Sequence, residues 1–220
     1  MPDNKPMDER HFFYILRLPT VLFIVVSNFL VLAGALIWGW DLLTMMLVFW
    51  LESAIIGFYT VLKLFSINLP VALVTLPFYL FHFGCFLAVY LVAVLTVFAP
   101  PPARGQLVPL LKGAFFNAPV LIGAAPLFIS HGVSFYRNFW PRRALWENKL
   151  NDIAFEPYPR IMLWCPVLVV AAAAVHYLGG GRPQYGYPVV ILVKACADIW
   201  SHLNANGLNP WTRGRDIEAA

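Results

Sequence analysis

Six stretches of about twenty predominantly apolar residues, joined by connections of a few to about two dozen residues, leave this chain few folds to choose from. Each is long enough to cross a hydrocarbon core of roughly 30 Å at about 1.5 Å of rise per helical residue. They read as Arg17 to Trp38, Leu42 to Phe65, Val71 to Phe98, Ala114 to Tyr136, Arg160 to Leu178, and Tyr187 to about Asn204. No water in hydrocarbon can satisfy an open backbone, so runs of this length fold as helices. The chain is 60% hydrophobic and only 12% charged over its 220 residues, about half the charged fraction of soluble domains. The connections are too short to hold a second domain. The expectation is one all-α domain over residues 1–220, a polytopic membrane protein with six transmembrane helices in one bundle, embedded in a lipid bilayer.

Charge placement gives the expected topology. One side of the threaded chain takes the N-terminal Lys5, Arg10 and Arg17, then Lys63, then Arg137, Arg142, Arg143, Lys149 and Arg160, and finally Arg213 and Arg215. The other side takes Arg104, Lys112 and Arg182, while Lys194 lies inside the sixth span. Basic residues stay cytoplasmic, so both termini are expected there. The same sorting explains the net charge of +4 without a nucleic-acid partner, since the basic residues follow topology and form no single patch. The mixed charges of MPDNKPMDERHFFYILRLP, and the absence of an A-x-A-like site after them, fit a first span that is retained.

Trp38, Trp40, Trp140, Trp146 and Trp211 flank spans, as interfacial anchors do. Cys85, Cys165 and Cys196 fall within spans and without CxxC spacing, which fits buried thiols and no disulfide framework. Pro77, Pro119, Pro126 and Pro166 are candidate kinks. The third connection, APPPARGQLVPL, should be irregular. The fourth, about 138–159, contains ALWENKLNDIAF, whose Leu145, Trp146, Leu150 and Ile153 fall near helical spacing; an amphipathic helix on the cytoplasmic face is expected.

Against this apolar background the ionisable residues inside the spans stand out. In VVILVKACADIWSH, Val189 to His202, four-residue spacing places Lys194, Asp198 and His202 on one helical face. Each costs a few kcal/mol on insertion scales if it faces lipid, so the stripe should face protein or water. Glu52 lies in the second span, with Tyr59 and Lys63 on its face, and His82 lies near the middle of the third, between Tyr79 and Cys85. His131, Ser134 and Asn138 share a face of the fourth span, while His11 and His176 sit near span ends and take no role. Counting depth at about 1.5 Å per residue puts His131, Asp198 and His202 in the cytoplasmic half and His82 and Glu52 deeper, so a shared site is geometrically possible.

Three readings of these residues stay open. Histidines with carboxylates suit zinc or iron, so His82, His131 and His202 could be ligands, with Asp198 a ligand or the carboxylate that orients an imidazole. Glu52 would then be a general base, Ser134 an oxyanion-type donor, and Lys194 a further catalytic charge. Alternatively Glu52, His82, Lys194 and Asp198 form a proton or ion relay. In the third reading the groups simply pair, Glu52 with Lys194 or Lys63 and Asp198 with a histidine, and hold helices together. Lys63 is expected to snorkel to the interface, and Gly84 and Gly132 to permit close helix packing.

The strings FWLESAIIGFYTVLKL, FHFGCF, ISHGVSFYRNF, FEPYPRI and ILVKACADIWSH, in this order, resemble the signature segments of the DUF6498 family of bacterial integral membrane proteins. The pattern positions are Glu52, Lys63, His82, Gly84, His131, Gly132, Ser134, Phe135, Asn138, Pro157, Tyr158, Arg160, Lys194, Asp198 and His202. That pattern carries further histidines where this chain has Tyr90 and near Trp164, and a Glu-His pair after the last span where this chain has Asn204 onward, so no ligand role passes to these positions. The resemblance implies a multi-pass protein of the bacterial inner membrane and brings no reaction with it. From the residues, the leading expectation is a metal-dependent intramembrane hydrolase acting on a lipid or another membrane-embedded substrate. A proton- or ion-coupled transporter and a non-catalytic assembly protein are the alternatives, with a homo-oligomer compatible with each.

Overall fold

The chain turns sharply at Gly39, which adopts the left-handed φ of 65° that a residue without Cβ tolerates. The turn separates α1 (Pro19–Ile37) from α2 (Leu42–Ile67). Asp41 starts α2 by accepting from Thr44 N at 2.8 Å. Trp40 folds back on α1, where a Cβ on Gly34 would lie 2.4 Å from its ring. It is only 5% exposed, so it plugs the α1–α2 turn and is not the interfacial anchor its position suggested; Trp38 beside it is exposed. This computed structural model describes residues 19–99, 107–147, 149–178, 187 and 190–196, and among them every regular element is helical.

Helix α2 is the centre of the packing, with Met45, Met46, Leu47, Val48 and Phe49 almost wholly enclosed. Asn68 then serves two helices. Its backbone N–H closes α2 on Leu64 O, and its side chain accepts from Val71 N to open α3 (Leu69–Phe98). Helices α2 and α3 lie antiparallel. Trp50 Nε1 donates to Leu87 O at 2.8 Å, and the missing Cβ of Gly57 admits the Phe83 ring, which a Cβ would approach to 2.3 Å. The outer face of α3 presents Leu73, Val74, Phe78, Phe81, Val89 and Val92, an apolar surface suited to lipid.

Part of the third connection, expected to be irregular, is helix α4 (Leu107–Phe115). Helix α5 (Ala118–Ser134) comes next, with Pro119 in its first turn. Pro119 kinks nothing, because a first-turn residue has no intrahelical N–H to lose. Pro77 and Pro126 lie inside α3 and α5. Helix α5 runs parallel to α2: Val48 packs into Gly123 and the Tyr59 hydroxyl into Gly132, each 2.7 Å from where a Cβ would stand.

Beyond α5 the helix widens to a π-helical turn (Phe135–Phe139) and tightens to a 3-10 segment (Trp140–Trp146). Helix α6 (Leu150–Phe155) is short, and α7 (Tyr158–Ala173) ends in a second π-helical turn (Ala174–Leu178). The fourth connection is therefore two pieces and not one amphipathic helix. Ile153 is buried whereas Leu145 and Trp146 are exposed, so the two pieces, Trp140–Trp146 and Leu150–Phe155, turn their apolar sides in different directions.

Among the described residues, three helical rods are long and apolar enough to cross a membrane: Leu42–Ile67, Leu69–Phe98, and the continuous Ala118–Trp146. Helical residues 190–196 pack Val190, Ile191 and Lys194 inward. The thiols of Cys85 and Cys196 are exposed, not buried as their positions within spans suggested, because they fall on the outward faces of their helices.

Candidate functional site

Val48, Glu52 and Tyr59 recur at i, i+4 and i+11, which stacks them on one face of α2. That face meets α5 and residues 190–196. Lys194 Nζ stands 3.0 Å from Glu52 Oε2, with the two side chains 4% and 5% exposed. Its ammonium also lies 4.8 Å from the centroid of Phe49, one turn before Glu52, so an aromatic face adds to the carboxylate's attraction. Glu52 sits close to the middle of α2. The geometry there is a buried ion pair between distant parts of the chain, one of the pairings the sequence left open. Such a pair is costly to desolvate and severely destabilising to break one side at a time.

Nearer the Ile67 end of α2, Tyr59 donates its hydroxyl to Phe128 O at 3.1 Å. The His131 ring lies across Tyr59, centroids 6.2 Å apart and 27° from parallel, and Gly132 leaves the space the Tyr59 hydroxyl occupies. Ser134 closes α5, and Asn138 Nδ2 donates to Ser134 Oγ at 3.3 Å across the start of the π-helical turn. His131, Ser134 and Asn138 thus form one polar ridge at the point where the helix widens, a feature frequent at functional sites.

His82, half-buried on α3, shares a 2.8 Å hydrogen bond between its Nδ1 and the Tyr158 hydroxyl, with the donor set by the imidazole tautomer. Phe78 stacks on it at 5.3 Å and Phe86 meets it edge-on at 5.2 Å. Tyr158 ties α7 to α3 through this contact and through Phe83. Lys63, expected to snorkel, instead pairs with Glu156 Oε1 at 2.8 Å, because the turn before α7 brings that carboxylate to it. Gly84 has nothing within reach of an added Cβ, so of the two glycines singled out for close packing only Gly132 has that role.

The structure therefore joins Glu52 to Lys194, His131 to Tyr59, Ser134 to Asn138 and His82 to Tyr158. Among the described residues, no three His, Cys, Asp or Glu side chains are grouped to hold one metal ion. Asp198 and His202 lie outside the described residues. Spacing along the sequence could not find Phe49 or Tyr158 as partners: Phe49 looks like any core aromatic, and Tyr158 belongs to a helix far along the chain from His82. Tyr59 had a signal, its i+7 position on the Glu52 face.

A family model described as a family of unknown function, DUF6498, matches residues 15–210. No curated protein matches the chain, and no solved structure does.

Proposed function

The chain belongs to the DUF6498 family, and from its site we propose a multi-pass protein of the bacterial inner membrane, with six spans and both termini cytoplasmic, that works as a proton- or ion-coupled transporter centred on Glu52 and Lys194. The observation that carries this reading is the ion pair, 3.0 Å long and almost fully enclosed, near the middle of a helix long enough to span a bilayer. Ionisable groups at such a depth mark ion pathways and proton relays. The pair has two charge states of use. With Glu52 ionised the two charges of the pair cancel; with Glu52 protonated, the Lys194 ammonium loses the charge it faces at 3.0 Å and is drawn towards Phe49 or an arriving anion. A proton and an anion therefore favour each other's arrival, and a cation competes with Lys194 for the carboxylate.

The test is flux in vesicles reconstituted with the purified full chain and loaded with a pH-sensitive dye. Wild-type protein should carry proton flux driven by an ion gradient, and Glu52→Gln, compared at a temperature where it is folded, should abolish it. Wild-type vesicles no leakier than empty ones, across a panel of cation and anion gradients, would overturn the reading.

The polar ridge where α5 opens into a π-helical turn favours a second reading, the metal-dependent hydrolase acting on a lipid or another membrane-embedded substrate. In that reading the sequence's candidates His82, His131, Asp198 and His202 would hold zinc or iron, with Glu52, Ser134 and Lys194 at the reacting groups; His131 lies on the ridge, while His82 stands with Tyr158 on α3 and would have to leave it. Elemental analysis of the purified chain decides it. One equivalent of metal, lost in His131→Ala, supports the hydrolase, and metal at background removes it.

A further inference from the structure

We propose that the segment from Tyr136 to Lys149 is a docking site for the phosphate headgroups of anionic phospholipid, held at the bilayer surface by its own tryptophans. The proposal rests on the chain spanning a membrane and not on what the Glu52–Lys194 pair does.

The position comes first. Ala118 to Trp146 is one continuous helical rod, and its first ionised residue is Arg137. The apolar length before Arg137 rises roughly 28 Å, the thickness of a hydrocarbon core. The residues after Arg137 are therefore level with the headgroups. Among the described residues of the segment only Phe139 is buried, 8% exposed and packed in one cluster with Leu64, Tyr79, Phe83 and Ile153. By contrast no residue of Trp140–Trp146 is buried. Trp140, Leu145 and Trp146 are 40%, 74% and 37% exposed, large apolar surface that water disfavours and an interface accepts.

Charge supplies the complementarity. Arg137, Arg142, Arg143 and Lys149 are all exposed, against Glu147 as the only acid between them. The next acids along the chain are Asp152, which is exposed, and Glu156, which is occupied by Lys63. Two of the cations are mounted on the anchoring rings. The Arg143 guanidinium lies 4.6 Å from the Trp140 ring centroid and spends one donor on Trp140 O at 2.9 Å, while Lys149 Nζ lies 5.9 Å from Trp146. An arginine has five N–H donors in a planar fork that suits phosphate oxygens. A ring seated at the acyl boundary thus holds its cation at phosphate level, and Arg142 beside it adds a second fork.

The experiment titrates the detergent-purified full chain with phosphatidylglycerol and, separately, phosphatidylcholine, and counts bound lipids by native mass spectrometry. The wild type should prefer phosphatidylglycerol. Arg142→Gln/Arg143→Gln should cut that preference roughly tenfold or more, at about fivefold per basic residue, while Lys112→Gln on α4, an exposed cation remote in sequence, leaves it unchanged. Should the double variant fail to fold, the wild type still decides. Raising salt must erase its preference, and inorganic phosphate at matched ionic strength must do no more than salt. Equal binding of the two lipids, an unaltered preference in the double variant, an equal loss in Lys112→Gln, or specific displacement by inorganic phosphate would each overturn the proposal. None of these outcomes bears on ion flux, so the two tests fail separately.

Discussion

At the scale of single residues, the Glu52–Lys194 pair is the most demanding feature of the molecule. Removing one member takes away the opposite charge that the other faces at 3.0 Å in a buried site, so Glu52→Leu or Lys194→Met alone should lower stability by about 3–5 kcal/mol. The double variant Glu52→Leu/Lys194→Met should recover most of that loss, because two apolar groups need no counter-charge. Thermal unfolding in detergent measures all three. A non-additive recovery identifies the pair as a unit, whereas additive losses would deny that it is one. Gly132 allows a second test of the same kind. An added Cβ would meet the Tyr59 hydroxyl at 2.7 Å, and that hydroxyl is anchored on Phe128 O. Gly132→Ala should therefore cost about 1–3 kcal/mol, as overpacking does, and Tyr59→Phe placed in the Gly132→Ala background should return part of it. The sequence showed Glu52 and Lys194 as costly residues in need of partners. It could not choose between Lys63 and Lys194 for Glu52, because that choice depends on Glu156 arriving beside Lys63 from a turn whose path no local spacing encodes.

At the scale of elements, helices α2 and α3 were legible almost residue for residue. A long, predominantly apolar run fixes their interiors, and Asp41 and Asn68 are capping residues with a short polar side chain. Asn68 works for both helices, so Asn68→Ala should lower stability by about 1 kcal/mol, the worth of a lost cap, read as a shift in the melting temperature. The Gly57 notch for Phe83 sets how closely the two helices approach. Gly57→Ala forces that ring away from a Cβ only 2.3 Å distant and should destabilise by about 1–3 kcal/mol. The fourth connection was not legible in the same way. Apolar residues at Leu145, Trp146 and Ile153 satisfy helical spacing whether or not a break intervenes, and periodicity is blind to a change from α to π to 3-10 geometry. Trp40 misled for a related reason. A tryptophan next to a span end has the same sequence context whether it lies at the interface or, as here, folds into a notch left by a glycine.

At the scale of the whole molecule, a dense centre around α2 is wrapped by helices whose outer faces are apolar. In a bilayer those faces contact acyl chains. Cys85 and Cys196, both on outward faces, should then react slowly with a maleimide in intact vesicles, because hydrocarbon suppresses the thiolate that attacks it, and quickly once the chain is unfolded in detergent, as read by peptide mapping. Rapid labelling by a charged maleimide in intact vesicles would contradict an embedded bundle. Hydrophobic length is legible in sequence because it is a property of each segment alone, whereas packing depends on every neighbour. The docking of residues 190–196 against α2 also has a consequence for synthesis. A nascent chain emerges from its N-terminal end, so α2 leaves the ribosome with its carboxylate long before the lysine that neutralises it exists. Until that late segment arrives, Glu52 must carry a proton, shelter in the insertion machinery or contact a chaperone, and any product truncated ahead of Lys194 exposes a recognisable defect to proteolytic surveillance.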